Sequence, residues 1–188
     1  MANLPVPAQR TWTVGETVHD FELNAQVRDA ITFGLSPPVM IANHQGGNTL
    51  PSGHWTPLDI LSGKLLDTYG GIAPYDATNN PYRSKYIAPI AGVYRITGQV
   101  QIAPTNSNFA GPFRSIRVQI NSNETVCAKL QVPALPSFNT CLNTSTDVYL
   151  DYGDIAEVGV FNGDNTATSL INDDINGYGR VSMIWRHR

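Results

Sequence analysis

Residues Gly92 to Ile102 alternate without a break: Tyr94, Ile96, Val100 and Ile102 fall on one side of an extended chain, and Arg95, Thr97, Gln99 and Gln101 on the other. One side of such a strand is core and the other is wet. The same two-residue period returns at Ile116, Val118 and Ile120 against Arg117 and Gln119, and at Val126, Ala128, Leu130 and Val132 against Lys129 and Gln131. Asn121-Ser122-Asn123-Glu124 forms the turn between those two runs, and Tyr152-Gly153-Asp154 separates Val148 and Leu150 from Ala156, Val158 and Val160 in the same way. Short antiparallel strands joined by turns predict an all-β sandwich or barrel.

The last strand, Arg180 to Trp185, breaks the rule. Val181, Met183 and Trp185 share one face, yet Ile184 lies on the other, and Ile155 and Phe161 repeat the exception after Gly153-Asp154. Apolar residues on both faces need a second covering surface. Subunit association is the economical one, with Ile155, Phe161 and Ile184 in the interface, because large exposed apolar patches are uncommon on soluble monomers. Packing under a loop of the same chain is the plainer alternative.

A length of 188 residues favours one compact domain with an appendage. Charged residues make up 14% and hydrophobic ones 41%, with 16 Gly and 13 Pro, which describes a neutral surface with many turns. A net charge of -3 and the lack of a basic run argue against nucleic acid as a partner. No stretch of about 18 apolar residues and no leader-like segment is present, so synthesis in the cytoplasm without membrane insertion is expected.

The appendage is N-terminal. Met1 to Trp12, with Pro5 and Pro7, reads as an extended arm. Thr17 or Asp20 can cap a helix over about residues 20–33, and Gly34-Leu35-Ser36-Pro37-Pro38 stops it. Residues 1–37 are therefore expected to form an adaptor of arm plus short helix, and residues 38–188 a head. Phe21, Leu23, Val27 and Ile31 spread over more than one helical face and are the candidates for attachment to a partner.

Catalytic constellations are missing from the sequence. His19, His44, His54 and His187 are scattered, no pair has helical zinc spacing, and Ser52-Gly53-His54 lacks the flanking glycines of a nucleophile elbow. Neither an enzyme nor a resident cofactor is expected. Cys127 and Cys141 read as half-buried thiols, with a bridge only if their segments are adjacent strands. Acidic loop residues Asp151, Asp154, Asp164, Asp173 and Asp174 offer hard oxygen donors to calcium, although solvated turns explain them equally. Within the Gly-, Asn- and Pro-rich stretch 62–84, Tyr75, Tyr82 and Arg83 combine flat aromatic faces with a planar donor, a pattern suited to sugar rings. The alternative is that such tyrosines pin a long loop to the sandwich.

Two resemblances extend this reading. Tyr86-Ile87-Ala88-Pro89-Ile90-Ala91-Gly92-Val93-Tyr94-Arg95-Ile96-Thr97-Gly98-Gln99-Val100, followed by Val148-Tyr149-Leu150-Asp151-Tyr152-Gly153-Asp154, resembles the globular heads of complement and their tumour necrosis factor relatives. That likeness covers roughly residues 38–188 and implies a jelly roll that assembles as a homotrimer. Arg10-Thr11-Trp12-Thr13-Val14-Gly15-Glu16-Thr17-Val18, then Leu23-Asn24-Ala25-Gln26-Val27-Arg28-Asp29-Ala30, resembles the opening of tail-associated proteins from phages of actinobacteria. Together they imply a virion protein, a minor tail or receptor-binding component whose residues 1–37 contact other virion proteins and whose head meets a host cell-wall glycan. A head-surface fibre or decoration protein is the nearest alternative, and a free lectin-like module is the alternative from another class.

Overall fold

The computed structural model describes residues 13–17, 19–23, 27, 29–45, 49–76, 80–104, 113–121, 125–134, 137–172 and 179–187. Two short helices, α1 (Asp20–Leu23) and α2 (Asp29–Leu35), come first. The strands follow as β1 (Val39–Asn43), β2 (Thr49–Leu50), β3 (Trp55–Pro57), β4 (Lys64–Asp67), β5 (Ile72–Asp76), β6 (Asn80–Ile87) and β7 (Gly92–Ile102). Next are β8 (Phe113–Ile120), β9 (Thr125–Pro133), β10 (Thr140–Leu150), β11 (Ile155–Asn162), β12 (Thr168–Ser169) and β13 (Arg180–His187).

They build two antiparallel sheets face to face. One has the order β10-β7-β13-β1-β4, and the other runs β5-β6-β11-β8-β9 with β3 added against β11. Sequence neighbours such as β6 and β7, or β7 and β8, sit in different sheets, so the chain crosses the sandwich repeatedly. That is the jelly-roll connection pattern. Strand β7 is paired on both sides, by β10 and β13, and carries the alternation expected of it: Tyr94, Ile96, Val100 and Ile102 are buried while Arg95 and Gln99 are exposed. Its inward row, with Met40, Ala42, Val181 and Met183, meets Tyr86, Ile116, Val118, Ala156, Val158 and Val160 from the opposite sheet. The sheets approach closely at Gly98, where a Cβ would lie 2.5 Å from Val158 Cγ1.

Within the expected helix over 20–33 the described residues form α1 and α2, and α2 ends at a Ser36 N–H to Phe33 carbonyl bond just before Pro37. Two expectations change against the structure. The stretch 62–84 is not a loop but contains β4, β5 and β6; β4 and β5 are sheet edges, where Pro74 and polar residues are tolerated and hide the strand pattern. Strand β9 is likewise an edge, so Val126 and Leu130, expected in the core, are exposed.

Carboxylates tie the turns. Asp154 accepts hydrogen bonds from the Asp151 N–H at 2.8 Å and from Asn121 Nδ2 at 3.1 Å, while Asn121 Oδ1 accepts the Ile155 N–H at 3.0 Å. Gly153, at φ +90°, supplies the left-handed residue this turn requires. Asp67 closes the β4–β5 turn by accepting the Gly71 and Ile72 N–H groups.

A third tie centres on Asp59, which is buried. Asp59 accepts from the Leu61 N–H at 3.0 Å, the Ser62 hydroxyl at 2.7 Å and the Ser84 hydroxyl at 3.0 Å. Its own N–H donates to His44 Nδ1 at 2.9 Å, and the same ring nitrogen lies 3.2 Å from the Asp59 carbonyl oxygen. Burial holds the His44 pKa below its ordinary 6.5, against a smaller upward pull from Asp59. The unfolded chain therefore takes up this proton first as the pH falls. Stability should be full above about pH 6.5 and decline below it, by at most about 1.4 kcal/mol per pH unit from this group, until the depressed folded value is passed. Chemical denaturation of the parent and of His44→Gln across pH 7.5 to 4.5 reads this directly: the variant should lose that part of the slope, and equal slopes would remove His44 from the account.

Candidate functional site

Helix α2 meets the head through Phe33. Phe33 meets Trp185 edge to face with ring centroids 5.1 Å apart, and Tyr69 at 6.2 Å. It thereby covers the end of the core near the close of β13. On the other side of α2, Ile31 and Leu35 are both exposed, Leu35 at 79%. Residues four apart share a helical face, so these two make a short apolar line directed away from the head. Val27, ahead of α2, is exposed as well. Phe21 and Leu23 belong to α1, and their side chains lie outside the described residues.

The two outward faces of the sandwich differ in character. On the five-stranded sheet, Ile184 stands between Val39 on β1 and Arg95 on β7, and Ile41 pairs with Leu66 on β4. Val39, Ile41, Leu66 and Ile184 are each half-buried. They form an apolar half-face that gives way to polar residues across β7 and β10. There Arg95 holds Asp147 by a two-toothed contact at 2.9 and 2.8 Å, and the Thr97 and Ser145 hydroxyls meet at 3.2 Å. The guanidinium keeps the Asp147 carboxyl below its ordinary range.

Ile155 and Phe161 lie on the opposite outward face, that of the six-stranded sheet, so the three expected interface residues do not form one patch. Phe161 stacks on Phe113 with centroids 5.3 Å apart and packs against Trp55, also at 5.3 Å. Much of its cover thus comes from its own chain. Arg117 lies over the Trp55 ring at 3.9 Å and Lys129 is 5.9 Å from it. Beside them Gln119 donates to Glu157 at 2.9 Å, both buried. The alternation of β8 gives no hint of this, because its outward positions read as solvent-facing polar residues. The signal that could have found it is Trp55, an aromatic residue in a short segment that has no strand pattern of its own.

Tyr75 falls on β5 and Tyr82 and Arg83 on β6, and these strands pair as neighbours at one edge of the six-stranded sheet. The backbone brings all three to that edge; their side chains lie outside the described ones. Tyr69, from the same stretch, is buried against Phe33. Of the acidic loop residues, Asp154 spends both carboxylate oxygens on N–H donors, Asp164 is buried, and Asp173 and Asp174 lie outside the described residues. Among the described residues no three His, Cys, Asp or Glu side chains gather into a metal-holding group. Cys127 and Cys141 are free thiols on strands of different sheets. No described helix is long and apolar enough to cross a membrane.

No protein-family model matches the chain, and no curated protein matches it either. Solved structures do. The globular domain of zebrafish complement 1qA protein is similar with a TM-score of 0.56 at 12% identity, over 80% of this chain and 98% of that one. Eiger TNF from S. frugiperda is similar with a TM-score of 0.52 at 12% identity, over 79% of this chain and 92% of that one. At such identity the likeness concerns the fold alone. The chain has the jelly-roll fold of complement heads and tumour necrosis factors.

Proposed function

We propose that this chain is a structural component of a phage virion, a minor tail or receptor-binding protein whose residues 1–37 attach a trimeric jelly-roll head to the particle. The observation that carries the reading is the short apolar line of Ile31 and Leu35, with Val27 exposed ahead of it, held away from the head by the Phe33 contact on the other side of α2. Apolar side chains kept in water forgo about 25 cal/mol per Å2 of burial, and a docking surface on another virion protein recovers it. The sequence likeness of residues 10–30 to phage tail-associated openings supports the same partner class. A head-surface fibre or decoration protein uses the same attachment at another place on the particle.

A homotrimer fits the habit of this fold. In a closed ring of three, each protomer offers two different surfaces to its two neighbours, so Ile184 on one outward face and Ile155 with Phe161 on the other can both be used. The apolar half-face around Ile184 is the stronger of the two, since Phe161 already has Trp55 and Phe113. A free lectin-like role is the second reading, favoured by the edge that gathers Tyr75, Tyr82 and Arg83 on β5 and β6. There a cell-wall glycan would be the ligand.

These readings separate in three experiments. Ile31→Glu with Leu35→Glu should leave the melting temperature within a few degrees of the parent while abolishing incorporation into particles in a complementation assay; normal incorporation would contradict attachment through this line. By light scattering, Ile184→Asp should turn a trimer into a folded monomer, because a carboxylate would be desolvated at the contact. Phe161→Asp should instead lower the melting temperature sharply, as loss of a packed aromatic costs about 3–5 kcal/mol. A monomeric parent at micromolar concentration would remove the trimer. Tyr82→Ala should weaken adsorption of the head to host cell walls without a large fall in melting temperature, and equal adsorption would remove the glycan edge.

A further inference from the structure

Arg114 is the largest fully buried side chain among the described residues, and it is charged. It stands on β8 two residues before Ile116 and shares the inward face of that strand with Ile116 and Val118, between the sheets at the end of the core. A guanidinium does not shed its proton to escape burial, so the charge must be met by partners. Nη1 has one: it donates to the Ala103 carbonyl at 2.8 Å. Nε and Nη2 have none.

Those two nitrogens point their N–H bonds in the same direction. They are the pair with which Arg95 grips the two oxygens of Asp147, at 2.9 and 2.8 Å, on the outside of the sandwich. In Arg114 the same fork is buried with no protein acceptor on either nitrogen. Asp164 is the acid whose field reaches it, but that carboxylate does not hydrogen-bond to the fork.

A second unpartnered group sits at the same end. Thr140 begins β10 directly opposite Ile102, the residue before Ala103, and its buried hydroxyl has no hydrogen-bond partner. The Ala103 carbonyl that holds Arg114 also accepts the Thr168 hydroxyl at 3.3 Å, and the Ala103 N–H donates to the Ser169 carbonyl at 2.9 Å, which fixes this corner to β12. Buried donors without acceptors are rare in native proteins, and a pair of parallel N–H donors matches two oxygens on one carbon or phosphorus atom.

We propose that Arg114, with the Thr140 hydroxyl buried at the same end of the sandwich, forms an internal oxyanion site that takes a small carboxylate or a phosphate. The anion completes the fork and neutralises the guanidinium. It stabilises the folded head, and it belongs to neither the N-terminal line nor the outward faces.

The test is thermal. The full chain is refolded by dialysis from urea into chloride buffer, then heated with increasing inorganic phosphate, acetate or further chloride at matched ionic strength. The parent should show a saturable rise in melting temperature, about 5 °C or more at a hundredfold excess over Kd, with phosphate or acetate and not with chloride. Response to one of the two oxyanions identifies the source, and response to both marks a general oxyanion site. Arg114→Met should melt no lower than the parent in chloride, since an unpaired buried charge has been replaced by an apolar chain, and should lose the response. Thr140→Val keeps shape and volume and should shift the titration to at least severalfold higher anion concentration, which serves if the methionine variant fails to fold. A parent response equal in chloride, or one that persists unchanged in both variants, would overturn the proposal.

Discussion

Everything in the head depends on two sheets meeting through the inward row of β7. Tyr94, Ile96, Val100 and Ile102 present four large side chains, and Gly98 in their midst leaves the gap that Val158 enters. A side chain at position 98 would force Val158 out, and with it the close approach of β7 to β11 and β8. Because β7 is paired on both sides in its sheet and β11 is central in the other, the loss would reach β10, β13, β6 and β8 through shared pairing. Dense packing of this kind transmits a local misfit rather than absorbing it.

With the core settled between the sheets, the chain uses its few acids to fix turns. Asp59, Asp67 and Asp154 each accept backbone N–H groups that a strand has released on leaving its sheet. This is why a chain with only 14% charged residues can still carry acids in so many connections. It also places the outward faces in relief: one is an apolar half-face beside an Arg95–Asp147 pair, the other a Trp55, Phe113 and Phe161 cluster capped by Arg117.

How much of this was legible in the sequence depended on where a strand lies. Strand β7 is covered on one face and wet on the other, so its two-residue period named its limits and its core residues. Strands β4, β5 and β9 are edges, where prolines, bulges and exposed apolar residues dilute the period, and they were read as loop or given the wrong burial. The spread of apolar residues over more than one helical face was legible as well: in α2 Phe33 turns to the head while Ile31 and Leu35 turn away. Candidate sites were less legible still. Arg114 interrupts an otherwise apolar inward row only when the register of β8 is known, and Trp55 gains meaning only through its pairing opposite Phe161.

The proposed virion role joins the apolar line of the N-terminal helix to a head of known fold, and it makes a claim about where the chain is found. Peptide mass spectrometry on gradient-purified particles, quantified against a capsid protein of known copy number, measures that claim directly. A virion component predicts the chain in every particle, in a fixed number divisible by three. Abundant chain in the lysate with none in the purified particles would contradict it.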